Sequence, residues 1–502
     1  MSLHKGEIHI GILIAALFAV IVGTMFTYKS IVASNINYNT TDASIQLTNE
    51  IENLKQNLHQ PTEYKTQTQG LLMFRGNLTR SYYGTGPLPK NPEILFTYPK
   101  RGMCMESTVH HITHQWCGSG WTGQPVVWEN PHTGRTEIIF GAYDGAVHFV
   151  DGYTGQDVRP KFQTGDIIKG SVSLDPDDYP LIYFGSRDNN IRVVALDRDV
   201  PTEIWHINAD HDKGLWNNDW DGNPIIEQDI MYEGGENGYF YIVKLNRSYD
   251  ADGKVNVDPK FLFTMPSYNE TLLKNIGDTD VSIENSPAKF GDRVYFANSG
   301  GRIIGLDVSH VLDGVAPIVF DYWTGDDTDA SIVVDDEGML YVVSEDERTN
   351  TASVEQKKIN GQLMKLDPNK PDNPLVWSVQ VPREHGMGGG IWATPAIDNK
   401  YVYEVSNPGD LIIVDKQTGE VVNKKYLGGP LWSSPNLIDG QLVITTCKGN
   451  VIAYNISDPK NLSEIWNIQI PSASCIESSP AIWNGNIYFG ARDGFFYKIG
   501  NK

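Results

Sequence analysis

The stretch from Cys475 to Ile499, CIESSPAIWNGNIYFGARDGFFYKI, determines the fold expected for the whole chain. Its small and polar opening ends in Ser479-Pro480, and short apolar runs then alternate with two tight-turn sequences, Asn484-Gly485 and Arg492-Asp493-Gly494. This pattern predicts three short antiparallel strands, a sheet too small to be stable alone in water. The unit must therefore stack against others like it.

Two markers of this unit recur along the chain. The first is a small or polar segment that leads into an apolar pair, and its copies begin at Trp121, Ile168, Asp219, Ser282, Asp326, Ile391, Leu431 and Cys475. The second is Gly or Asn followed by a strand that ends near Asp, and its copies begin at Asp144, Asn189, Glu236, Gly300, Asn360, Pro408, Lys448 and Asp493. Both markers give eight copies at intervals of roughly 40 to 65 residues, a period typical of a propeller or another repeat array.

Most copies also carry an outer fourth strand. Such strands begin at Glu203, Pro317, Leu375 and Glu464. The last copy runs out of chain at Lys502 before it supplies one, whereas EILFTYP, Glu93 to Pro99, has the same character and no inner strands before it. We therefore expect Glu93–Pro99 to lie beside Phe495–Ile499, which closes the ring and removes its exposed sheet edges.

These repeats resemble the quinoprotein-like propellers, the pyrroloquinoline-quinone (PQQ) repeat superfamily. The resemblance rests on VDGYTGQ from Val150, VALDRD from Val194 and VDKQTGEVV from Val414, and it covers about residues 72 to 500. It implies an all-β fold, an eight-bladed β-propeller closed by an N-terminal outer strand. It is much less specific for function, because the superfamily includes quinone dehydrogenases and non-catalytic scaffolds.

The residues before the repeats predict a membrane anchor and a stalk. Ile10 to Tyr28 is free of charged residues and long enough to cross a bilayer as a helix. We favour an uncleaved signal anchor over a cleaved signal peptide, because Val32-Ala33-Ser34 is a poor cleavage site. The expected division is a cytoplasmic segment at 1–9, a transmembrane helix at 10–28, a stalk at 29–70 and the propeller at 71–502.

In the stalk, a short amphipathic helix carries Leu47, Ile51, Leu54 and Leu58. It could pack on the propeller, act as a spacer or support an oligomer.

The four cysteines all follow the apolar segment and fall into two local pairs, Cys104 with Cys117 and Cys447 with Cys475. An even number of cysteines arranged in this way predicts disulfides, and hence a propeller on the extracytoplasmic side of a membrane. The alternative is four reduced core thiols. The net charge of −22 argues against nucleic acid as a partner.

The resemblance also predicts where a ligand would bind. In such propellers the first strands line the central channel, so the residues that open them are the candidate ligand-binding residues. They are Gln124, Lys169, Asp219, Asp221, Glu284, Asn285, Asp327, Asp329, Trp392, Trp432 and Glu477. Converging carboxylates repel one another unless they bind a hard cation or take up protons, so a calcium site is a candidate at Asp219, Asp221, Glu284, Asp327 and Asp329. The bland alternative is that several of these acids point into bulk water.

A PQQ site is less well supported. PQQ carries three carboxylates and needs Arg or Lys partners, a stacking Trp and usually calcium. Tryptophans and the pair Glu284-Asn285 are present, but Lys169 is the single basic residue among the candidates. The vicinal Cys-Cys pair of many alcohol-oxidising members is absent, and so is a C-x-x-C-H haem motif.

Two other groups resemble metal sites. The segment Asp250 to Asp258 partly matches a calcium loop, but its ends do not fit, so a hairpin loop is the favoured interpretation. The cluster His110, His111 and His114 lies between Cys104 and Cys117, where a disulfide hairpin is the simpler explanation.

The sequence therefore favours a membrane-tethered extracytoplasmic propeller that binds a ligand or a protein without catalysing a reaction, and the alternative is a PQQ- and calcium-dependent dehydrogenase. Its fold is similar to that of the lipoprotein scaffold of the bacterial outer-membrane barrel-assembly machinery. That scaffold's role does not carry over, because no lipidated Cys follows the apolar segment here.

Overall fold

The strand pattern predicted from the repeats is present in the computed structural model, which describes residues 66–109, 111–120 and 123–502. Eight sheets follow one another in chain order as blades 1 to 8, and neighbouring strands within each sheet are antiparallel. The eight-bladed β-propeller is thus confirmed. The predicted transmembrane segment and the stalk helix lie outside the described residues. Among the described residues no helix is long and apolar enough to cross a membrane.

In each of the first four blades the strands follow the chain from the inner to the outer edge of the sheet. Blade 1 contains Val126–Asn130, Arg135–Gly141, Ala146–Asp151 and Phe162–Gln163. Blade 2 contains Ser173–Leu174, Leu181–Ser186, Asn190–Ala195 and Thr202–Asn208. Blade 3 contains Ile225–Glu227, Ile230–Gly234, Tyr239–Lys244 and Lys260–Pro266. Blade 4 contains Ala288–Phe290, Arg293–Ala297, Arg302–Asp307 and Ile318–Trp323.

The last four blades follow the same order. Blade 5 contains Val333–Val334, Leu340–Val343, Leu363–Leu366 and Leu375–Val379. Blade 6 contains Ala396–Ile397, Tyr401–Val405, Asp410–Asp415 and Val421–Tyr426. Blade 7 contains Asn436–Ile438, Gln441–Thr445, Asn450–Asn455 and Ser463–Gln469. Blade 8 contains Ala481–Trp483, Asn486–Gly490, Phe496–Asn501 and, as its outer strand, Pro92–Tyr98.

The outer strand of blade 8 closes the ring as predicted. Ile94 pairs with Ile499 and Tyr98 pairs with Phe496 in an antiparallel register. Apolar clusters then run between neighbouring blades all the way round the ring, including the pair of blades 8 and 1. At that junction the rings of Phe140 and Phe496 stack with their centroids 4.0 Å apart. The chain ends are therefore joined by packing as well as by strand pairing.

Short elements occur in the connections between strands. They are helix α1, Glu270–Ile276; helix α2, Thr351–Asn360; 3-10 turns at Ala209–His211 and Val311–Asp313; a hairpin of Ser248–Tyr249 with Val255–Asn256; and a hairpin of Cys104–Val109 with Ile112–Cys117. Disulfides join Cys104 to Cys117 and Cys447 to Cys475, so both predicted pairs are confirmed. The first closes the base of the second hairpin, and the other links blade 7 to the segment that opens blade 8.

The first repeat marker has a direct physical explanation. The second residue before the inner strand of each blade is polar, and in seven of the eight blades its backbone N–H is bonded to the next blade, as when Ser286 donates to Ser331 Oγ at 3.0 Å and Ser331 donates to Thr394 Oγ1 at 3.1 Å. Blade 8 returns to blade 1 when Ser479 N donates to the Gly123 carbonyl at 3.0 Å. We call these the belt positions: Gln124, Ser171, Asn223, Ser286, Ser331, Thr394, Ser434 and Ser479.

A segment that the repeat pattern did not predict runs through the centre of the ring. Residues 66–85, here the axial segment, include a strand, Gln69–Leu71, that adds a fifth strand to the inner edge of blade 1. The contacts of the propeller thus begin before residue 71, where the sequence placed the start of this domain. EILFTYP is also preceded by an inner strand, contrary to expectation.

The axial segment is bonded to every blade through backbone or side-chain hydrogen bonds. Its partners in blades 2 to 8 are Asp175, Asn223, Lys289, Val334, Ile397, Pro435 and Ile482. Arg75 and Arg80 of this segment are fully buried. Arg75 donates to the carbonyls of Thr394 and Pro395, at 2.6 and 3.0 Å, and to that of Pro435. Two buried acids, Glu404 and Glu233, interact electrostatically with Arg75 and Arg80, although burial still raises the pKa of each acid well above its usual range.

Candidate functional site

One residue from each blade forms a ring above the belt. Counting back two residues from each belt position gives Lys169, Asp221, Glu284, Asp329, Trp392, Trp432 and Glu477 in blades 2 to 8, and the blade 1 position, residue 122, lies outside the described residues. All seven were predicted as ligand-binding residues. We call this set the channel ring, and it is neither symmetric nor uniform in charge.

Lys169 is the electrostatic centre of one side of the channel ring. Its Nζ lies 3.3 Å from Asp219 Oδ2 and 3.2 Å from Glu236 Oε1, and it forms a closer ion pair with Asp221. The lysine side chain is 9% exposed and the three carboxylates are 1–3% exposed. Burial alone would lower the pKa of Lys169, but the three acids outweigh burial and raise it well above its usual range. The ammonium group thus lies against Asp219 and Asp221, two of the five acids at which calcium was predicted.

A second acidic group continues the ring into blade 5. Ligand atoms of Asp327, Asp329 and Glu345 lie within 4.8 Å of one another, and Asp327 Oδ1 is buried without a hydrogen-bond partner. Burial first, and repulsion by Asp329 second, raise the pKa values of Asp327 and Glu345 well above their usual range. Glu284 of blade 4 is shifted in the same direction for the same two reasons. Binding of a cation or a proton therefore stabilises this side of the channel.

An aromatic pair lies next to these acids, because Gly390 of the segment that carries Trp392 forms a β-bridge with Glu345. Trp392 and Trp432 belong to blades 6 and 7, which lie across the axis from blades 2 and 3 in an eight-membered ring, and their rings stack with centroids 4.9 Å apart. Trp432 Nε1 donates to Asn407 Oδ1 at 3.0 Å, which fixes its plane. Carboxylates and aromatic faces in one site provide both kinds of group that attract an organic cation.

The funnel above the channel ring is closed from below. The axial segment bonds to the blades at the belt residues and up to five residues after them, for example to Asn223, Asp175 and Pro176. The channel ring lies two residues before the belt, and the acids Asp219 and Asp327 lie four residues before it. The site is therefore a cup that opens at one end, with the axial segment as its floor.

The disulfide hairpin reaches the rim of this cup. Trp116 of the hairpin lies against two guanidinium groups, with Arg187 at 5.1 Å and Arg492 at 4.8 Å from its ring centroid. Arg187 Nε is bonded to Asp219 Oδ2 at 2.8 Å, and Arg492 lies 3.7 Å from Glu477 Oε2. The two arginines connect the hairpin to acids on both sides of blade 1.

Glu477 is expected to titrate near neutral pH. Burial raises its pKa to about 7, against an opposing effect of Arg492. A carboxyl group whose pKa is raised on folding loses stability as the pH increases from its unfolded value, about 4.3, to its folded value. The free energy of unfolding of Glu477→Gln, taken relative to that of the wild type, should therefore increase by on the order of 2–3 kcal/mol between pH 5 and pH 8.

Urea unfolding at these two pH values measures the effect of Glu477→Gln. The exposed Glu464→Gln serves as the control and should follow the wild type at both pH values. A Glu477→Gln difference that does not change with pH would contradict the assignment.

Two predicted ligand-binding residues serve the framework instead. Gln124 accepts from the Arg75 N–H at 2.7 Å and donates to the Pro480 carbonyl at 2.8 Å. Asn285 donates to the carbonyls of Ala297 and Thr328, each at 2.9 Å. Their polar groups hold the axial segment and the blades in place.

Four charged residues of the cup were missed by sequence analysis. Glu236, Glu345, Arg187 and Arg492 lie between the second and third strands of their blades, whereas the prediction considered the segments that open the inner strands. The second repeat marker begins within two residues of Arg187, Glu236 and Arg492 and could have found these three, whereas its blade 5 copy begins at Asn360, well after Glu345.

The other predicted metal-like groups are not part of the cup. Asp250 closes the small blade 3 hairpin by accepting the backbone N–H groups of Asp252 and Lys254, at 3.0 and 2.8 Å. His111 and His114 are exposed on the disulfide hairpin, and His110 lies outside the described residues.

The residues of the cup do not fit PQQ. Its three carboxylates would require cations, but Lys169 and Arg187 are held by buried acids, and Arg492 lies between Glu477 and the rings of Trp116 and Tyr143. Burial first, and repulsion by neighbouring carboxylates second, already raise the pKa values of the acids near the axis. A trianionic ligand would increase that excess.

Comparison with known proteins supports the PQQ-type repeat. A family model described as outer membrane protein assembly factor BamB matches residues 359–494. No curated protein sequence matches the chain. The structure is similar to that of quinohemoprotein alcohol dehydrogenase from Comamonas testosteroni, at 14% identity and a TM-score of 0.56 over 86% of this chain and 80% of that chain.

A second solved structure shares the architecture. It is Saccharomyces cerevisiae Sqt1, at 10% identity and a TM-score of 0.53 over 72% of this chain and 92% of that chain. At such identities the likeness establishes the fold alone. A PQQ-like propeller can serve as a scaffold or as a quinoprotein dehydrogenase, so function must be argued from the cup.

Proposed function

We propose that this chain is a membrane-tethered, extracytoplasmic binding propeller that is not an enzyme, and that its cup binds a ligand carrying an ammonium or guanidinium group. The observation that carries the proposal is the channel ring itself, in which acids of blades 3 to 5 share the channel with the stacked pair Trp392 and Trp432. Ammonium and guanidinium groups form charge-assisted hydrogen bonds with carboxylates and also interact favourably with aromatic faces.

Two further features support an extracytoplasmic, membrane-tethered location. The disulfides Cys104–Cys117 and Cys447–Cys475 are typical of an oxidising compartment. The apolar stretch Ile10 to Tyr28 is long enough to tether the chain to a membrane. Together they support a propeller held on the extracytoplasmic side.

Titration of the full-length protein with spermidine, followed by tryptophan fluorescence and calorimetry, tests the ligand class. Fully acetylated spermidine is the matched control, because it keeps the chain length but loses the charges. We expect the cationic form to bind and the acetylated form to bind at least tenfold more weakly. Trp392→Ala and Glu345→Gln should each weaken binding by about tenfold, since each removes one wall of the cup. Equal binding of both forms would refute the proposal.

Calcium is the simplest inorganic competitor for the same acids. The group Asp327, Asp329 and Glu345 offers oxygen ligands, which calcium prefers. If calcium binds there, a concentration of 100 times its Kd should stabilise the protein by about 2.7 kcal/mol. The gain should disappear in Asp329→Asn, and an unchanged unfolding midpoint in the wild type would remove calcium from consideration.

The alternative function, a PQQ- and calcium-dependent dehydrogenase, is supported only by the fold. Reconstitution with PQQ and calcium, followed by a dye-reduction assay with an alcohol or a sugar, separates the two functions. Turnover in that assay would overturn the non-catalytic proposal whatever the result with spermidine.

A further inference from the structure

A second cluster of charged groups lies on blade 6, separate from the cup. Glu384 and His385 are consecutive on the loop before the blade, and Asp410 begins its third strand. One ligand atom from each of these three residues lies within 4.8 Å of the others. The His385 ring stacks on Tyr426 with the centroids 3.9 Å apart, which holds the imidazole in place.

The distances in this cluster are unusual for hydrogen bonds. His385 Nε2 lies 3.5 Å from Asp410 Oδ1 and 3.8 Å from Glu384 Oε2. Both exceed the usual N–H···O range of about 2.7–3.2 Å. Zinc ligands at about 2.0–2.1 Å from a tetrahedral metal are separated from each other by roughly 3.3 Å. The separations therefore fit ligand atoms arranged around a metal better than groups bonded to one another.

Asp410 supplies an independent indication of a missing partner. Its side chain is 3% exposed, and its Oδ2 atom is buried without a hydrogen-bond partner among the described residues. A buried carboxylate oxygen left in this state is costly, so such atoms normally have a donor, an ion or a water.

Lys424 offsets part of the cost of burying the Asp410 carboxylate. Its Nζ forms a close ion pair with Glu384 and a longer one, at 3.4 Å, with Asp410 Oδ2. The Lys424 side chain is 38% exposed, in contrast to the deeply buried Lys169 of the cup. It can therefore turn outward and leave its place to another cation.

We propose that Glu384, His385 and Asp410 form a binding site for a zinc-type divalent cation, with Lys424 as its built-in competitor. One imidazole nitrogen and two carboxylate oxygens are a donor set suited to zinc and cobalt, whereas calcium and magnesium prefer oxygen ligands alone. Three protein ligands leave a fourth position open to solvent, and both Glu384 and His385 are 35% exposed on that side.

Titration of the full-length protein with Zn²⁺ by calorimetry, and with Co²⁺ by visible absorption, tests this site. We expect wild-type binding to weaken at least tenfold in His385→Gln and in Asp410→Asn, because each loses a ligand. Lys424→Met should bind at least threefold more tightly than the wild type, because the competing ammonium is gone. A purely structural salt-bridge cluster would not show this gain.

Two control variants show whether the measured metal affinity comes from this site. Lys425→Met removes a neighbouring lysine whose Nζ lies over the Tyr454 ring, 4.7 Å from its centroid, and should leave the affinity unchanged. His114→Gln removes an exposed imidazole of the disulfide hairpin and accounts for any metal bound there. Absence of binding in both the wild type and Lys424→Met would overturn the proposal. Binding that survives both His385→Gln and Asp410→Asn would overturn it as well.

Discussion

Replacing Lys169 by methionine should destabilise the folded protein by about 3–5 kcal/mol, the usual result of breaking a buried ion pair on one side only. Methionine fills nearly the same volume, so the loss would come from charge. Asp219, Asp221 and Glu236 would remain buried without the ammonium group that now lies among them.

The pH dependence of this loss distinguishes charge from packing. Burial raises the folded-state pKa of Asp221 well above the unfolded value of about 3.9, and removing Lys169 must raise it further. A carboxyl group with a raised pKa costs stability as the pH increases from the unfolded to the folded value. The deficit of Lys169→Met should therefore be smallest near pH 4 and grow towards pH 8.

Urea unfolding across this pH range measures both effects. Lys424→Met is the matched control, since its lysine also contacts two carboxylates but is 38% exposed, and it should cost no more than about 1 kcal/mol. Adding Asp221→Asn to Lys169→Met should recover part of the loss. A deficit that does not depend on pH would mean that Lys169 acts mainly through packing.

Local patterns explain why the ring itself could be predicted from sequence. Each blade is encoded by its own strands and turns, and the Ser-Pro marker corresponds to a hydroxyl group that bonds one blade to the next. The closing strand could be assigned because blade 8 lacks its own fourth strand and only one unpaired segment has that character. The disulfides followed from residues that are close in sequence or in neighbouring repeats.

The axial segment could not be predicted in this way because it has no repeat and little local structure of its own. Its conformation is set by distant partners, such as the carbonyls of Pro287 and Pro435. One signal was available. Glu233 and Glu404 each interrupt an apolar second strand, where a lone buried acid needs a cation, and Arg75 and Arg80 lie in the one segment left unassigned.

The same limitation applies to the cup. The structure brings most of the residues that open the inner strands together, as the repeat register indicated, and their role in binding a ligand stays a prediction. Which of those acids are neutralised depends on Lys169 and Arg187, whose positions relative to blade 3 follow from the folded turns. The sequence therefore indicated which residues share the channel, but not the pairing that leaves Asp327 Oδ1 without a hydrogen-bond partner among the described residues.

Removal of the axial segment should abolish cooperative folding, even if the closing strand is kept. A chain that begins at Pro89 retains Pro92–Tyr98 and can still pair it with Phe496–Asn501. It loses, however, the bonds from residues 66–85 to all eight blades and exposes the belt carbonyls and the acids Glu233 and Glu404 to the empty channel. Repeat propellers need stacking to be stable, and this segment is the contact that all blades share.

Point variants test the same idea without deleting the segment. Arg75→Met would leave three buried carbonyls without their donor and Glu404 without its nearest cation, so a loss of at least 3 kcal/mol is expected. Arg75→Met combined with Glu404→Gln should be more stable than Arg75→Met alone, because the second change removes the uncompensated charge. Thermal and urea unfolding report both differences.

A chain that begins at His59 keeps the axial segment and is the control for the truncation. It should unfold cooperatively with a midpoint close to that of the full chain, whereas the chain from Pro89 should lack a cooperative transition and expose its tryptophans to solvent. If both truncated chains unfold alike, the ring is held by its blades alone, and the buried arginines fill the channel without joining its walls.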